Sequence, residues 1–174
     1  DAPIVGQLAT AMGGIRVDRS SGSDEPLQAA ADALAGGEMV VLMPQGTIPR
    51  GPAFFEPELK GRWGAARLAQ MTGAAVVPVG LRGTEKVRPR SKRLPNLLNV
   101  ADPPTVRIQA GPLVALKGKS LDADTKRIMK AITKLLPAAA RERRTPTRDE
   151  LLATFPPGYS GDPEEEYGRR PGED

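Results

Sequence analysis

The chain has 174 residues, 39% of them apolar, which suffices for one ordinary hydrophobic core; two full domains would leave each half short of one. Cys and His are both absent, which excludes a disulfide framework and a thiolate metal site and removes the commonest metal ligand and general base. The net charge of +4 joins two unlike parts: three arginines against eight acids give residues 145–174 a charge of −5, leaving +9 on residues 1–144, a surplus that favours phosphate-bearing partners without choosing among nucleic acid, coenzyme pyrophosphate and lipid headgroup.

With three Phe, two Tyr and one Trp against 19 Gly and 18 Pro, the core has to be mostly aliphatic. The first residues, Asp1-Ala2-Pro3-Ile4, carry neither an initiator Met nor a signal-peptide pattern, and the expectation is a start inside a longer protein. Gly13 to Ser20 alternates like a short strand, with Ile15 and Val17 on one face, Arg16 and Asp18 on the other and Arg19 at its end. Asp24 as N-cap, Pro26 in the first turn and Leu27, Ala30, Ala31 and Leu34 at helical spacing predict an amphipathic helix stopped at Gly36-Gly37. Met39-Val40-Val41-Leu42-Met43 reads as a strand buried on both faces. The longest apolar stretch, it falls far short of the roughly 20 residues that span a bilayer.

A loop rich in Pro and Gly follows. From Arg62 to Thr72 the helical pattern resumes, with Ala65, Leu68 and Ala69 on one side and Gly73 as the stop. Ala75 to Leu81 predicts a second apolar strand, in which Pro78 marks an edge, a bulge or a strand end because it has no N–H for a ladder. Thr105 to Ala110 alternates as a third strand, and Ile128, Ile132, Leu135 and Leu136 define one face of a helix over 122–136 broken at Pro137. Strands separated by helices of this length predict an α/β layered domain with a mixed, largely parallel sheet flanked by helices, occupying residues 1–144. Residues 145–174, rich in Pro, Gly and charge, are expected to be a disordered or surface-draped acidic tail.

The segment richest in chemistry is Val41 to Gly51, an apolar run opening into Pro44-Gln45-Gly46-Thr47-Ile48-Pro49-Arg50. Loops at the carboxyl ends of α/β strands are where such sheets place ligands, and free backbone N–H groups beside a small Gly form an anion-binding concavity. Arg50 offers a planar fork to phosphate oxygens and Thr47 a hydroxyl. The same run serves equally as a plain chain turn, and it is not a Walker loop, since no Gly-Lys-Ser/Thr follows. Lys60 and Arg62 stand at the mouth of the second helix, where the macrodipole disfavours cations unless an anion binds. The stretch Arg82 to Arg93 holds six basic residues against Glu85 alone. It has no interleaved aromatics for base stacking, and nucleic acid is not expected as a partner.

Taken in order, Gly14-Ile15-Arg16-Val17-Asp18-Arg19, Met43-Pro44-Gln45-Gly46-Thr47, Lys60-Gly61-Arg62-Trp63-Gly64-Ala65-Ala66-Arg67-Leu68-Ala69 and Val76-Val77-Pro78-Val79-Gly80-Leu81 resemble the lysophosphatidic acid acyltransferase family over roughly residues 3–115. The Ala, Gly, Arg and Pro richness is similar to that of members from high-GC bacteria. The resemblance implies transfer of an acyl group from acyl-CoA or acyl carrier protein, a substrate and not a cofactor, to lysophosphatidate, giving phosphatidate. It also implies peripheral contact with the cytoplasmic face of the cell membrane; oligomeric state is not implied. It assigns Arg19 to the acceptor phosphate, matches Gly46 and Thr47 to the family's Pro-Glu-Gly-Thr-Arg motif and Pro78 to the acyl-donor pocket; Arg16, Gln45, Arg50, Lys60 and Arg62 complete the candidate phosphate-binding set. The family's Asn-His-x-x-x-x-Asp motif, whose His is the general base, matches no stretch of this chain, and its expected place is upstream of Asp1; no catalytic residue and no metal ligand are therefore assigned. Gln45 stands where the family has Glu, and Ile48 where it commonly has Arg, with Arg50 as the substitute cation. The alternative reading is a non-catalytic module that binds anionic lipid or CoA.

Overall fold

The computed structural model describes residue 7, residues 10–15, 24–87 and 101–164. Helix α1, Glu25–Ala35, starts after Asp24 with Pro26 in its first turn, where a missing N–H costs nothing. Helix α2, Gly64–Thr72, ends at Gly73, whose φ of 69° is the left-handed stop that a residue without Cβ adopts freely. The two pack through small residues: Ala30 and Ala31 on α1 and Leu68 on α2 are buried, with Leu27, Leu34 and Val40 against them. Arg67 clasps Asp24 through two hydrogen bonds of 2.8 and 2.7 Å, tying α2 to the start of α1.

Strand β1, Val79–Arg82, follows directly after Pro78, so the residue that cannot donate to a ladder sits just outside it. After the single turn α3, Thr84–Val87, strand β2, Arg107–Ala110, returns alongside β1. The register pairs Val79 with Ala110, Gly80 with Gln109, Leu81 with Ile108 and Arg82 with Arg107. The pairing is antiparallel and, among the described residues, makes a two-stranded sheet. The described pair does not confirm the largely parallel sheet expected: alternation along residues 105–110 establishes a strand but carries no information about its direction.

A correction concerns Met39–Met43. No strand forms there, and Met39, Val41 and Met43 are 87%, 76% and 75% exposed. A continuous apolar run becomes a buried strand only when sheet neighbours cover both faces; among the described residues only Val40 reaches the core.

Helix α4, Leu121–Lys134, has Ser120 as N-cap, its hydroxyl accepting from the Ala123 N–H, and buries Asp124, Thr125, Ile128 and Met129. It packs against α2 and, at its C-terminal end, against β1, where Leu135 fills the space that a side chain at Gly80 would need. Among the described residues no helix is long and apolar enough to cross a membrane.

The stretch expected as a tail divides. Helix α5, Arg148–Leu152, carries a complete capping box: the Thr147 hydroxyl accepts from the Glu150 N–H, and the Glu150 carboxylate accepts from the Thr147 N–H. Phe155, 1% exposed, and Pro163 are the largest fully buried side chains. Residues 145–164 thus pack onto the body, while residues 165–174 lie outside the described residues.

Candidate functional site

The Pro44–Arg50 loop turns back at Gly46, whose N–H donates to the Met43 carbonyl at 3.0 Å. Its φ of +67° is in the left-handed region, which a residue with a Cβ occupies only at a cost of roughly 1–2 kcal/mol. The Arg62 N–H donates to the Pro44 carbonyl at 2.8 Å, fastening the loop to the residues leading into α2. The Arg62 side chain lies across the turn: a Cβ on Gly46 would come within 2.9 Å of Arg62 Cδ and 3.2 Å of Nε. Gly46 thus supplies both the sharp turn and the clearance for an arginine stem.

Gly61 sets the other side. A Cβ there would meet Met129 Cγ and Sδ at 2.7 Å and Thr125 Cγ2 at 2.9 Å, so the backbone between Lys60 and Arg62 is pressed against the buried face of α4. With the chain held on α4 at Gly61 and on the loop at Pro44, the two cations flanking Gly61 have their backbones fixed while their side chains stand in solvent. Among the described residues neither Lys60, Arg62 nor Arg50 forms an ion pair. No side chain caps the N-terminus of α2, and its first turn contains no acid. The structure sets the Arg62 stem against a half-buried Gln45-Gly46-Thr47 turn, with Lys60 and the uncapped start of α2 each two residues from Arg62 along the chain and Arg50 three residues beyond Thr47; an arginine over such a turn is chemistry suited to an anion.

The far end of the loop is held by residues that sequence reasoning left in the tail. Gly51, φ +53°, is buried, and its N–H donates to Thr154 Oγ1 at 2.8 Å, while that hydroxyl donates to the Leu151 carbonyl at 2.7 Å. Phe155 and the Pro163 carbonyl close over Gly51. Beside them Arg143 pairs with Glu56 at 2.9 Å, and the Arg144 guanidinium sits 4.7 Å from the centre of the Phe55 ring. The legible signal was Thr147-Arg148-Asp149-Glu150, a capping-box spacing that announces a helix inside an otherwise loop-like composition. Arg144 also donates to Glu150 at 2.8 Å; with the Thr147 N–H this holds the Glu150 carboxyl at about 2, down from 4.5.

Asp124 secures the chain in front of α4. Its buried carboxylate accepts from the N–H groups of Lys117 at 2.9 Å and Gly118 at 2.7 Å and from Arg127 at 2.6 Å. The Lys117 N–H leads in holding its carboxyl below the usual carboxylate range.

Pro78 is buried and accepts from the Gly111 N–H at 2.9 Å, with its ring 3.1 Å from where a Gly111 Cβ would stand. It lies at the sheet under Leu135, and the structure does not show it sharing a contact with the Gly46 turn. Arg16 and Arg19 lie outside the described residues, as does the part of the basic run from Arg88 to Arg93. Of the sequence-based candidates, the structure joins Gly46 to Arg62, and Gln45, Thr47 and Lys60 are their neighbours along the chain.

Residues 1–82 match the family model described as Acyltransferase. The match covers a little under half of the chain and includes the Gly46 turn, Lys60, Arg62, all of α2 and β1. It supports acyltransferase function at that general level. Among curated proteins and among solved structures, nothing matches the chain.

Proposed function

We propose that this chain contributes the acceptor-phosphate side of an acyltransferase that moves a fatty acyl group from acyl-CoA or acyl carrier protein to lysophosphatidate. The observation that carries this reading is the Arg62 stem laid over the left-handed Gly46 turn, within a segment that matches the acyltransferase family. In the reaction the acceptor hydroxyl oxygen attacks the thioester carbonyl, the new C–O bond forms, the C–S bond breaks, and the hydroxyl proton ends on the departing thiol. None of the chain's 174 residues is a His, so its own contribution is binding and orientation: Arg62, Lys60 and Arg50 neutralise the phosphate, Thr47 offers a short hydroxyl donor, and Gly46 supplies the turn. A fixed phosphate places the hydroxyl at one distance from the donor, the advantage of a bound over a free acceptor. Arg19 joins this set through the resemblance and Arg16 as its neighbour in the same basic stretch, Pro78 shapes the donor side, and the reaction takes place at the cytoplasmic membrane surface.

The test is acyl transfer from a thioester donor to lysophosphatidate by the protein as its gene encodes it. Arg62→Ala is expected to raise KM for lysophosphatidate by about tenfold or more, the weight of a charge-assisted phosphate contact, with a smaller effect on KM for the donor. Gln45→Glu tests the position where the family carries an acid and is expected to raise kcat. Absence of transfer with every lysolipid and donor, for both the unsubstituted protein and Gln45→Glu, would leave the second reading, an anionic-lipid or CoA binding module; the uncharged amide of Gln45 favours it.

A further inference from the structure

The Pro44–Arg50 loop hangs between fixed peptides. At its start the Gly46 N–H donates to the Met43 carbonyl and the Arg62 N–H to the Pro44 carbonyl; at its end the Gly51 N–H donates to Thr154 Oγ1 at 2.8 Å. Between these points the run Ile48-Pro49-Arg50-Gly51-Pro52 has few soft torsions. Both prolines have φ locked at roughly −65°, and Ile48, as the residue before Pro49, is held out of the helical region. Arg50 is extended, at φ −130° and ψ 165°. The freedom that remains is that of Gly51, which has no Cβ to restrict it. The Gly51 N–H shares one rigid plane with the Arg50 carbonyl, so whatever arrests Gly51 also sets the direction in which the Arg50 side chain leaves the backbone.

The arrest is built around one hydroxyl. Thr154 is 3% exposed and donates its own proton to the Leu151 carbonyl at 2.7 Å, which turns an oxygen lone pair toward Gly51. Phe155 and the Pro163 carbonyl close over the same glycine. The other arginines at this end of the loop are engaged, Arg143 by Glu56 and Arg144 by Glu150. Arg50 is exposed and, among the described residues, forms no ion pair, which leaves its guanidinium available to an anion. Thr154 lies outside the segment 1–82 that matches the acyltransferase family, and the match gives it no role.

We propose that Thr154 is a positioning residue of the candidate phosphate site: by holding the Arg50–Gly51 peptide it aims the Arg50 guanidinium at a phosphate on the Pro44–Arg50 loop. The inference rests on the reading of that loop as a phosphate site, and it needs no acyl transfer. Thr154 itself touches no ligand. Without the hydroxyl the buried Gly51 N–H lacks its acceptor, the peptide turns, and phosphate binding has to order Arg50 as well as engage it.

The probe is inorganic phosphate, titrated into the full chain and followed on the Gly46 and Thr47 amide signals. Thr154→Val keeps the shape and removes the acceptor; it is expected to weaken phosphate about fivefold, the weight of one ordinary hydrogen bond. Thr154→Ser, which keeps the hydroxyl, should bind as the unsubstituted protein does. Thr154→Cys, whose sulfur is a weak acceptor, should fall between them, and the order of Ser and Cys decides the matter where Thr154→Val is too unstable to titrate. In an Arg50→Ala background Thr154→Val should weaken phosphate no further, because it acts through Arg50. A loss of affinity undiminished in that background, an equal loss in Thr154→Ser, or phosphate affinity within about twofold of the unsubstituted protein in both Thr154→Val and Thr154→Cys overturns the positioning role. Acyl transfer separates this from the wider reading: the expected phosphate pattern in a protein that transfers no acyl group supports Thr154 and rejects the acyltransferase reading. Transfer to lysophosphatidate whose KM is unmoved by Thr154→Val rejects Thr154 alone.

Discussion

Replacing Gly51 by Ala probes how firmly the C-terminal segment holds the end of the Pro44–Arg50 loop. Two costs combine there. The backbone φ of +53° costs any residue with a Cβ roughly 1–2 kcal/mol. The added Cβ would also stand 2.6 Å from the Pro163 carbonyl oxygen, a backbone atom that cannot swing aside as a flexible side chain does. Relief requires Pro163 and Phe155 to draw back, and losing part of the Phe155 burial costs about 1.5–3 kcal/mol. The sum is about 2.5–5 kcal/mol, or a fall in Tm of about 5–20 °C at roughly 2–4 °C per kcal/mol for a chain of this size. Gly73 is the control: its φ is +69°, but nothing lies within 4 Å of the position a Cβ would take. Gly73→Ala therefore carries the conformational cost alone, about 2–8 °C. Thermal unfolding of the three proteins, with limited proteolysis to report release of residues 145–164, reads the difference. Equal losses of Tm for Gly51→Ala and Gly73→Ala, with the segment still protected, would falsify the clamp.

Two further outcomes are expected. Glu150 and Asp124 both have carboxyls lowered by hydrogen bonds in the folded chain, so the stability they contribute is fully present above the ordinary carboxylate value and is lost as pH falls through the folded one. For Glu150 that window runs from 4.5 down to about 2; Tm measured across it should fall, and Glu150→Gln should flatten the fall. Gly61→Ala should destabilise by forcing Met129 aside, and much of that loss should vanish in a Met129→Ala background because the two sites share one space; additive losses in denaturant titrations of the double-mutant cycle would contradict the close packing of Gly61 on α4.

The helices were readable because their signals are local. Pro26 after Asp24, the Gly73 stop and the Ile128–Ile132–Leu135 spacing each act within a turn or two, and α1, α2 and α4 appear where these place them. Pairing is not local. The alternation at 105–110 did yield β2, but its antiparallel direction depends on β1, and Met39–Met43 had all the composition of a buried strand without, among the described residues, neighbours to bury it. Likewise the Gly46 turn was visible as a Gly-containing loop, whereas the Arg62 stem across it depends on Gly61 lying against α4, which no spacing announces. In residues 145–164 the Pro and acid content obscures a capping box and a single Phe155 that anchors the segment.

The Gly51–Thr154 hydrogen bond bears on where this domain is divided when its parts are produced or fused. A boundary drawn at residue 144, where the composition changes, would sever a loop from its own support more than a hundred residues away. The Gly51 N–H would lose its acceptor, the Arg144 guanidinium over the Phe55 ring would lose its Glu150 partner, and buried Phe155 would be removed. A cut placed after Pro163 keeps Gly51 together with the Thr154, Phe155 and Pro163 contacts that hold it, and a fusion joined short of it separates them.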